Sequence, residues 1–223
     1  MEGLDKKKLA EMIDQTLLKP FVTLDDMKKH CETANQYGFK TVAINNAVVA
    51  YCANLLKDSK TVCDAAVSFP LGQCTLETKI FETEDVIQKG AKEVDYVVNL
   101  VELKSGNWEY IEKEMASVAA VCNKNNVISK VIFENCYLTE DEKRKLCQVA
   151  LKVRPNFIKT STGFGSGGAT VEDIRLMKSV VGDEIKIKAA GGIRDLQTAL
   201  SMIRAGASRI GTSCGTQIID ELQ

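Results

Sequence analysis

Apolar runs of strand length recur along the chain: Met12 to Leu18, Thr41 to Asn45, Thr61 to Phe69, Glu93 to Leu100, Val127 to Phe133, Phe157 to Thr160, Glu184 to Ala190, and Arg209 to Gly211. The stretches between them are polar, with apolar residues returning every three or four positions, the period of an amphipathic helix. In Asn107 to Cys122 the returning face is Trp108, Ile111, Met115, Val118, Ala119 and Cys122. Thr139 followed by Glu142 reads as a capping box, in which each side chain satisfies a backbone N–H of the other residue. Further helices are expected from Asp25, Ala47, Thr75, Thr170, Asp195 and Cys214. Strands alternating with helices predict a parallel sheet. Eight such units in 223 residues fit an α/β fold, a closed TIM (β/α)8 barrel forming a single domain over residues 1–223. A doubly wound open sheet is the alternative arrangement.

Composition narrows the function. Lysine and arginine number 29 and acidic residues 30, a net charge of −1, so no basic field is available for nucleic acid or an anionic membrane. The eight cysteines form no Cys-x-x-Cys pair, and Met1 to Lys6 is charged, without the apolar core of a secretion signal. These features point to a cytoplasmic protein with reduced thiols. A single histidine, His30, excludes a histidine-rich zinc site and is poorly placed for a nucleophilic triad. Within the polar stretch Asp25 to Tyr37 it is expected to be ordinary surface.

The most informative stretch runs from Phe157 to Gly168. A short apolar run becomes a glycine-rich loop, after which Thr170 is placed to cap a helix. Strand, glycine loop and helix is an arrangement that offers unpaired N–H groups to anions. Inside the apolar run sits Lys159, where an ammonium is costly unless it is paired or neutral. A lysine that loses its proton easily can attack a carbonyl. On the next strand Lys186 and Lys188 share one face, with Ile185, Ile187 and Ala189 on the other, so the lysine face is expected to point into the barrel. Asp95, in the fourth strand, could hold or relay a proton facing them. A lone lysine or aspartate in a strand is commonly a rim residue or a hydrogen-bonding one, and only the set of three suggests imine chemistry. Lys130 and Glu134 share a face of the fifth strand and are expected to pair inside the barrel.

Glycine is uneven, and most of it follows residue 160. Gly191-Gly192 after strand seven and Gly211-Thr212-Ser213-Cys214-Gly215 after strand eight occupy the usual phosphate position of such barrels. Loop amides, the Ser213 hydroxyl and the following helix start are expected to grip the anion, unless these glycines only make tight turns.

Segments along almost the whole chain resemble the deoxyribose-phosphate aldolase family. They include Ile13 to Pro20, Ser68 to Gly72, Glu93 to Asp95, Leu103 to Gly106, Lys130 to Glu134, Phe157 to Gly163, Ile187 to Arg194, and Arg209 to Ser213. The resemblance implies a TIM barrel and a class I lyase that needs no metal or cofactor. Its reaction would be the reversible cleavage of 2-deoxy-D-ribose 5-phosphate to acetaldehyde and D-glyceraldehyde 3-phosphate, in deoxyribonucleotide breakdown. Lys159 would be the Schiff-base lysine, Lys188 the lysine that keeps it neutral, and Asp95 the proton relay. Thr162, Gly163, Gly191, Gly192, Gly211 and Ser213 would hold the substrate and its phosphate. Partners would be small sugar phosphates and aldehydes, with neither nucleic acid nor membrane, and a homodimer is implied. Three residues depart from common family patterns: Gln15 for histidine, Ala43 for cysteine, and Cys214 for a second serine. Another imine-forming sugar-phosphate aldolase, a transaldolase, or a non-catalytic phosphate-binding barrel remain the alternative readings of the same residues.

Overall fold

The protein is described here from a computed structural model covering residues 4–222. The strands are β1 (Ile13–Leu17), β2 (Thr41–Asn45), β3 (Val62–Val67), β4 (Glu93–Val97), β5 (Ile128–Ile132), β6 (Phe157–Lys159), β7 (Lys186–Ala190) and β8 (Arg209–Thr212). All neighbours are parallel, and β8 pairs back onto β1, which closes the barrel and removes the open-sheet alternative. The helices are α1 (Lys6–Ala10), α2 (Leu24–Tyr37), α3 (Val49–Leu55), α4 (Leu76–Gln88), α5 (Leu100–Lys104), α6 (Trp108–Lys124), α7 (Glu140–Val153), α8 (Val171–Val181), α9 (Leu196–Ala205) and α10 (Gly215–Glu221).

The helix starts are set locally. Thr23 with Asp26, and Thr139 with Glu142, form complete capping boxes on α2 and α7. Thr75, Asn107, Thr170 and Asp195 cap α4, α6, α8 and α9 through side-chain oxygens. The fourth strand is shorter than its apolar run suggested. Asn99 accepts from the amides of Val101 and Glu102, so Leu100 opens a helix instead of ending a strand.

Alternation along the strands divides the molecule into two interiors. Val94 and Tyr96, Val131, Ile158, Ile187 and Ala189, and Ile210 point outward and join the apolar core under the helices. The intervening positions point into the barrel and carry charge: Asp14, Asp64, Glu93, Asp95, Lys130, Lys159, Lys188 and Arg209, all buried. Barrels of this kind are usually filled by branched aliphatic side chains. Here four carboxylates and four cations fill much of that space, and they are tolerable only because each charge meets an opposite one.

Lys186 shares the inward phase of β7 but lies at its first residue. It is exposed at the N-terminal end of the barrel, with Nζ 5.7 Å from the Phe157 ring centroid. The expectation that both lysines of β7 point inside is therefore corrected: only Lys188 does.

Candidate active site

The interior charges are stacked along the barrel axis. At the N-terminal end Arg209 Nη1 lies 2.7 Å from Asp14 Oδ1 and 3.0 Å from Glu93 Oε2. In the middle Lys130 Nζ meets Asp64 Oδ2 at 2.8 Å, Glu93 Oε2 at 2.8 Å and Asp95 Oδ1 at 2.7 Å. Asp14, Asp64 and Glu93 converge closely enough for a cation, and the ammonium of Lys130 supplies that charge. Lys130 therefore does not pair with Glu134, contrary to the sequence expectation. The strand ends at Ile132, and Glu134 adopts a left-handed backbone (φ 49°, ψ 61°), which turns it out of the alternating series.

At the C-terminal end three groups from neighbouring and facing strands come together. Lys159 and Lys188 are register partners across β6 and β7. Both reach Asp95 Oδ2, Lys159 Nζ at 2.7 Å and Lys188 Nζ at 2.6 Å. Lys188 also meets Asp14 Oδ2 at 2.6 Å and Asp64 Oδ2 at 2.9 Å. Gly211, within β8, makes room for this lysine, because a Cβ there would lie 3.1 Å from Lys188 Cε.

These contacts set the protonation of each group. Burial is the largest influence on Lys159 and lowers its pKa, Asp95 pulls it back up, and the Lys188 charge lowers it again, leaving it below its ordinary value. Burial thus outranks the neighbouring Lys188, the lysine that the resemblance implies keeps Lys159 neutral. Burial also opposes the charge on Lys188, but Asp14, Asp64 and Asp95 together hold it above its ordinary value. Burial would raise Asp95, yet Lys130, Lys159 and Lys188 hold it well below the usual carboxylate range. The site thus contains one amine that gives up its proton easily, beside a cation and an anion that keep their charges.

A cavity of about 320 Å³ opens above Lys159 at the C-terminal face. Thr162, Gly163, Gly191, Gly192, Gly211 and Ser213, all singled out from the sequence, line it. Phe69 lies 6.0 Å by its ring centroid from Lys159 Nζ and packs edge-to-face on Phe164, giving the lysine an aromatic neighbour. Gly191 and Gly192 take φ values of +86° and +78°, open to glycine and strained for other residues. The loops after β6 and β7 touch through bare backbone. A Cβ on Gly168 would collide with the Gly191 carbonyl oxygen, and Ala169 N–H donates to both Ala190 O and Gly191 O.

Two details differ from the predicted anion grip. The start of α10 is already occupied: Thr212 Oγ1 accepts from Cys214 N, and Gln15 Oε1 accepts from Gly215 N at 3.1 Å. The Thr162 hydroxyl is also engaged, donating to Glu134 and accepting from Phe164 N, so Thr162 shapes the loop while facing the cavity. Free polar groups at the mouth are instead the amides of Gly163, Gly192 and Ser213, which make no hydrogen bond among the described residues. Lys19 and Arg194 line the same cavity; both fall within segments that carry the family resemblance, Ile13 to Pro20 and Ile187 to Arg194, but had no task assigned from the sequence. Gln15 has a structural task on the loop after β8, since its Nε2 also donates to Ser213 O at 3.4 Å. His30 is half-buried rather than ordinary surface. Its Nε2 lies 3.1 Å from the Gln15 carbonyl, which fixes the protonated nitrogen, and burial lowers its pKa.

A parallel eight-stranded barrel with a buried amine beneath glycine-rich loops defines a class, the barrel enzymes that act on small carbonyl compounds. The profile of the DeoC/LacD family aldolases matches residues 7–221, and the chain belongs to that family. It is a lyase of the aldolase type. A deoxyribose-phosphate aldolase of Lactobacillus acidophilus is 53% identical over 214 residues, covering 96% of this chain and 90% of that protein. Among solved structures, the aldolase QR15 is 36% identical with a TM-score of 0.91, covering 96% of this chain and 95% of its own. The tetrameric deoxyribose phosphate aldolase of Aeropyrum pernix is 28% identical with a TM-score of 0.90, covering 97% of this chain and 91% of its own.

Proposed function

We propose that this aldolase cleaves 2-deoxy-D-ribose 5-phosphate reversibly to acetaldehyde and D-glyceraldehyde 3-phosphate through an imine on Lys159. The observation that carries the reading is access. Of the four interior cations, only Lys159 lines the cavity, and its pKa is lowered while those of the other three are raised. In the synthetic direction the free amine of Lys159 attacks the carbonyl carbon of acetaldehyde. Loss of water gives an iminium, which acts as the electron sink for removal of an α-proton. Asp95 and Lys188, both within hydrogen-bond reach of the reacting amine or its partner, move that proton. The enamine carbon then attacks the aldehyde of glyceraldehyde 3-phosphate, and water releases the sugar phosphate.

The phosphate would sit at the cavity mouth, against the amides of Gly163, Gly192 and Ser213, the Ser213 hydroxyl, and the charges of Arg194 and Lys19. Gly191 and Gly211 allow close approach of backbone there, and Thr162 holds the loop shape. The whole chain works as one catalytic barrel domain of the cytoplasm, and no helix among the described residues is long and apolar enough to cross a membrane. The relative from Aeropyrum pernix is a tetramer; this chain is proposed to self-associate as a homodimer, which sedimentation velocity measures directly.

Borohydride reduction in the presence of acetaldehyde, followed by peptide mass mapping, tests the chemistry. An ethyl adduct on Lys159 is expected. An adduct on another lysine, or turnover with every imine-forming donor except acetaldehyde, refutes the assignment.

A further inference from the structure

Asp64 is one of three interior carboxylates, with Asp14 and Glu93, to which the mechanism above gives no task. It projects from β3 into the barrel and is 1% exposed. Its Oδ2 accepts from Lys188 and lies 2.8 Å from Lys130 Nζ, while its Oδ1, equally buried, has no hydrogen-bond partner. The charged groups around it come from most of the barrel: Asp14 of β1, Glu93 and Asp95 of β4, Lys130 of β5, Lys159 of β6, Lys188 of β7, and Arg209 of β8 beyond Asp14. Its neighbour on β2 is Ala43, which has no titratable group.

Charge balance in this closed space calls for a second group whose protonation changes with that of Lys159. With all eight groups ionised, the carboxylates Asp14, Asp64, Glu93 and Asp95 balance Lys130, Lys159, Lys188 and Arg209. Imine formation requires Lys159 uncharged before attack and cationic afterwards. A buried cluster resists a net charge in either state, so some other group must gain a proton when Lys159 loses one. Burial and the Asp95 charge outweigh Lys130 and Lys188 at Asp64 and push it up to about 6, whereas Asp14 and Asp95 are held below their ordinary range.

We propose that Asp64 is the proton store for imine formation at Lys159, holding a proton while the lysine is a free amine and returning it, through Lys188 and Asp95, when the carbinolamine loses water. The inference rests on the reading of Lys159 as the imine-forming residue. Before attack, Lys188, already an ammonium, passes a proton to Asp64 and takes one from Asp95, which in turn takes one from Lys159 Nζ through Oδ2, so that Lys188 ends as a cation and Asp95 as an anion, as they began. The contacts along this path are 2.7, 2.6 and 2.9 Å. The unpartnered Oδ1 is where a carboxyl hydrogen meets no cation, and rotation about χ2 returns it to Lys188. After the C–N bond has formed and one amine hydrogen has moved to the former carbonyl oxygen, the path runs in reverse. The returned proton joins the hydroxyl, the C–O bond breaks to release water, and the nitrogen lone pair forms the C=N bond. An amine and a carboxylic acid thus become an iminium and a carboxylate, with no proton taken from bulk water.

The test is proton stoichiometry. Acetaldehyde is added to the whole protein in weak buffer with an indicator dye at about pH 6, the value to which Asp64 is raised. Wild type is expected to take up no proton as the imine forms, and Asp64→Asn about one per chain, because its iminium must draw its charge from solvent. Since the Asp64 charge raises Lys159, the acid limb of kcat/KM is also expected to move down by about 1 unit in Asp64→Asn. Equal uptake in both proteins, with the limb unmoved, overturns the proposal. Borohydride labelling in parallel separates the two claims. Absence of a label on Lys159 in wild type refutes the imine assignment itself, whereas a label in both proteins with equal uptake refutes only the task given to Asp64. If Asp64→Asn does not fold, infrared difference spectra of wild type decide. Loss of a carboxylic-acid C=O band on adding acetaldehyde supports the store, and an unchanged spectrum in that region overturns it.

Discussion

Lys79 and Glu114 lie outside the barrel, between α4 and α6, and both side chains are essentially fully buried. Lys79 Nζ is 2.6 Å from Glu114 Oε1 and donates to Val97 O at 2.6 Å, while Glu114 Oε2 accepts from Asn99 N at 2.9 Å. The pair therefore ties down the end of the strand that carries Asp95. At an effective dielectric near 20, charges this close attract by about 6 kcal/mol. Desolvation of two ions removes several kcal/mol each, so the net contribution of the intact pair is small. Breaking it is different. Lys79→Met leaves a buried carboxylate with one N–H for company, and the expected loss of stability is about 3–5 kcal/mol. For a chain of this size that is a fall in Tm of roughly 6–20 °C.

The cause has a signature in pH. Burial already raises Glu114 above its ordinary value, against the pull of Lys79 and the Asn99 amide. Without Lys79 it rises further. A carboxyl with a raised folded pKa binds its proton more tightly in the native state, so stability is retained at low pH and lost as pH rises through that pKa. Urea denaturation of wild type and Lys79→Met between about pH 5 and 8 should show a deficit that widens with pH. Lys79→Met combined with Glu114→Leu should recover much of the loss. A deficit that is flat across pH, or below about 1 kcal/mol, would refute the reasoning, because it would mean that no uncompensated charge had been left behind.

Three further outcomes are expected. Lys188→Leu removes a cation that lowers Lys159, so the acid limb of the pH–rate profile should move upward, with activity low near neutrality and recovered in alkali only in part, since Lys188 also moves protons; a profile reduced equally at every pH would show that its charge does not set the state of Lys159. Glu134→Gln removes the negative charge that accepts from both the amide and the hydroxyl of Thr162, and should weaken substrate binding through the loop by about 1.5–3 kcal/mol, read as a raised KM with a smaller change in kcat. Arg194→Met should raise KM for phosphorylated acceptor aldehydes and leave unphosphorylated ones unaffected, whereas an equal rise for both would move the phosphate away from the mouth lined by Arg194.

Strand phase made part of the site readable in advance. Alternation placed Lys188 opposite in phase to Ile187 and Ala189, and the order of the chain put Lys159 on the adjoining strand. Where alternation stopped, the reading failed: Glu134 lies past the end of β5, in a left-handed turn that no periodicity announces. Lys186 had the right phase at the wrong height, because phase gives the face of a strand and not the depth along the axis. Asp14 and Asp64 escaped notice for a third reason. Their partner Lys188 is far away in sequence and reaches them across the closed barrel, a proximity that appears only once β8 has paired with β1. His30 looked superficial because its helix is polar, yet that helix sets it against the carbonyl of Gln15.

Because the hollow of this barrel is held by attraction between unlike charges, its residues are not interchangeable one by one, as neighbouring aliphatic side chains would be. A library that varies single interior positions will mostly return unfolded chains. Altered donor preference is better sought by exchanging a cation and its facing carboxylate together, or by leaving the hollow untouched and varying the rim.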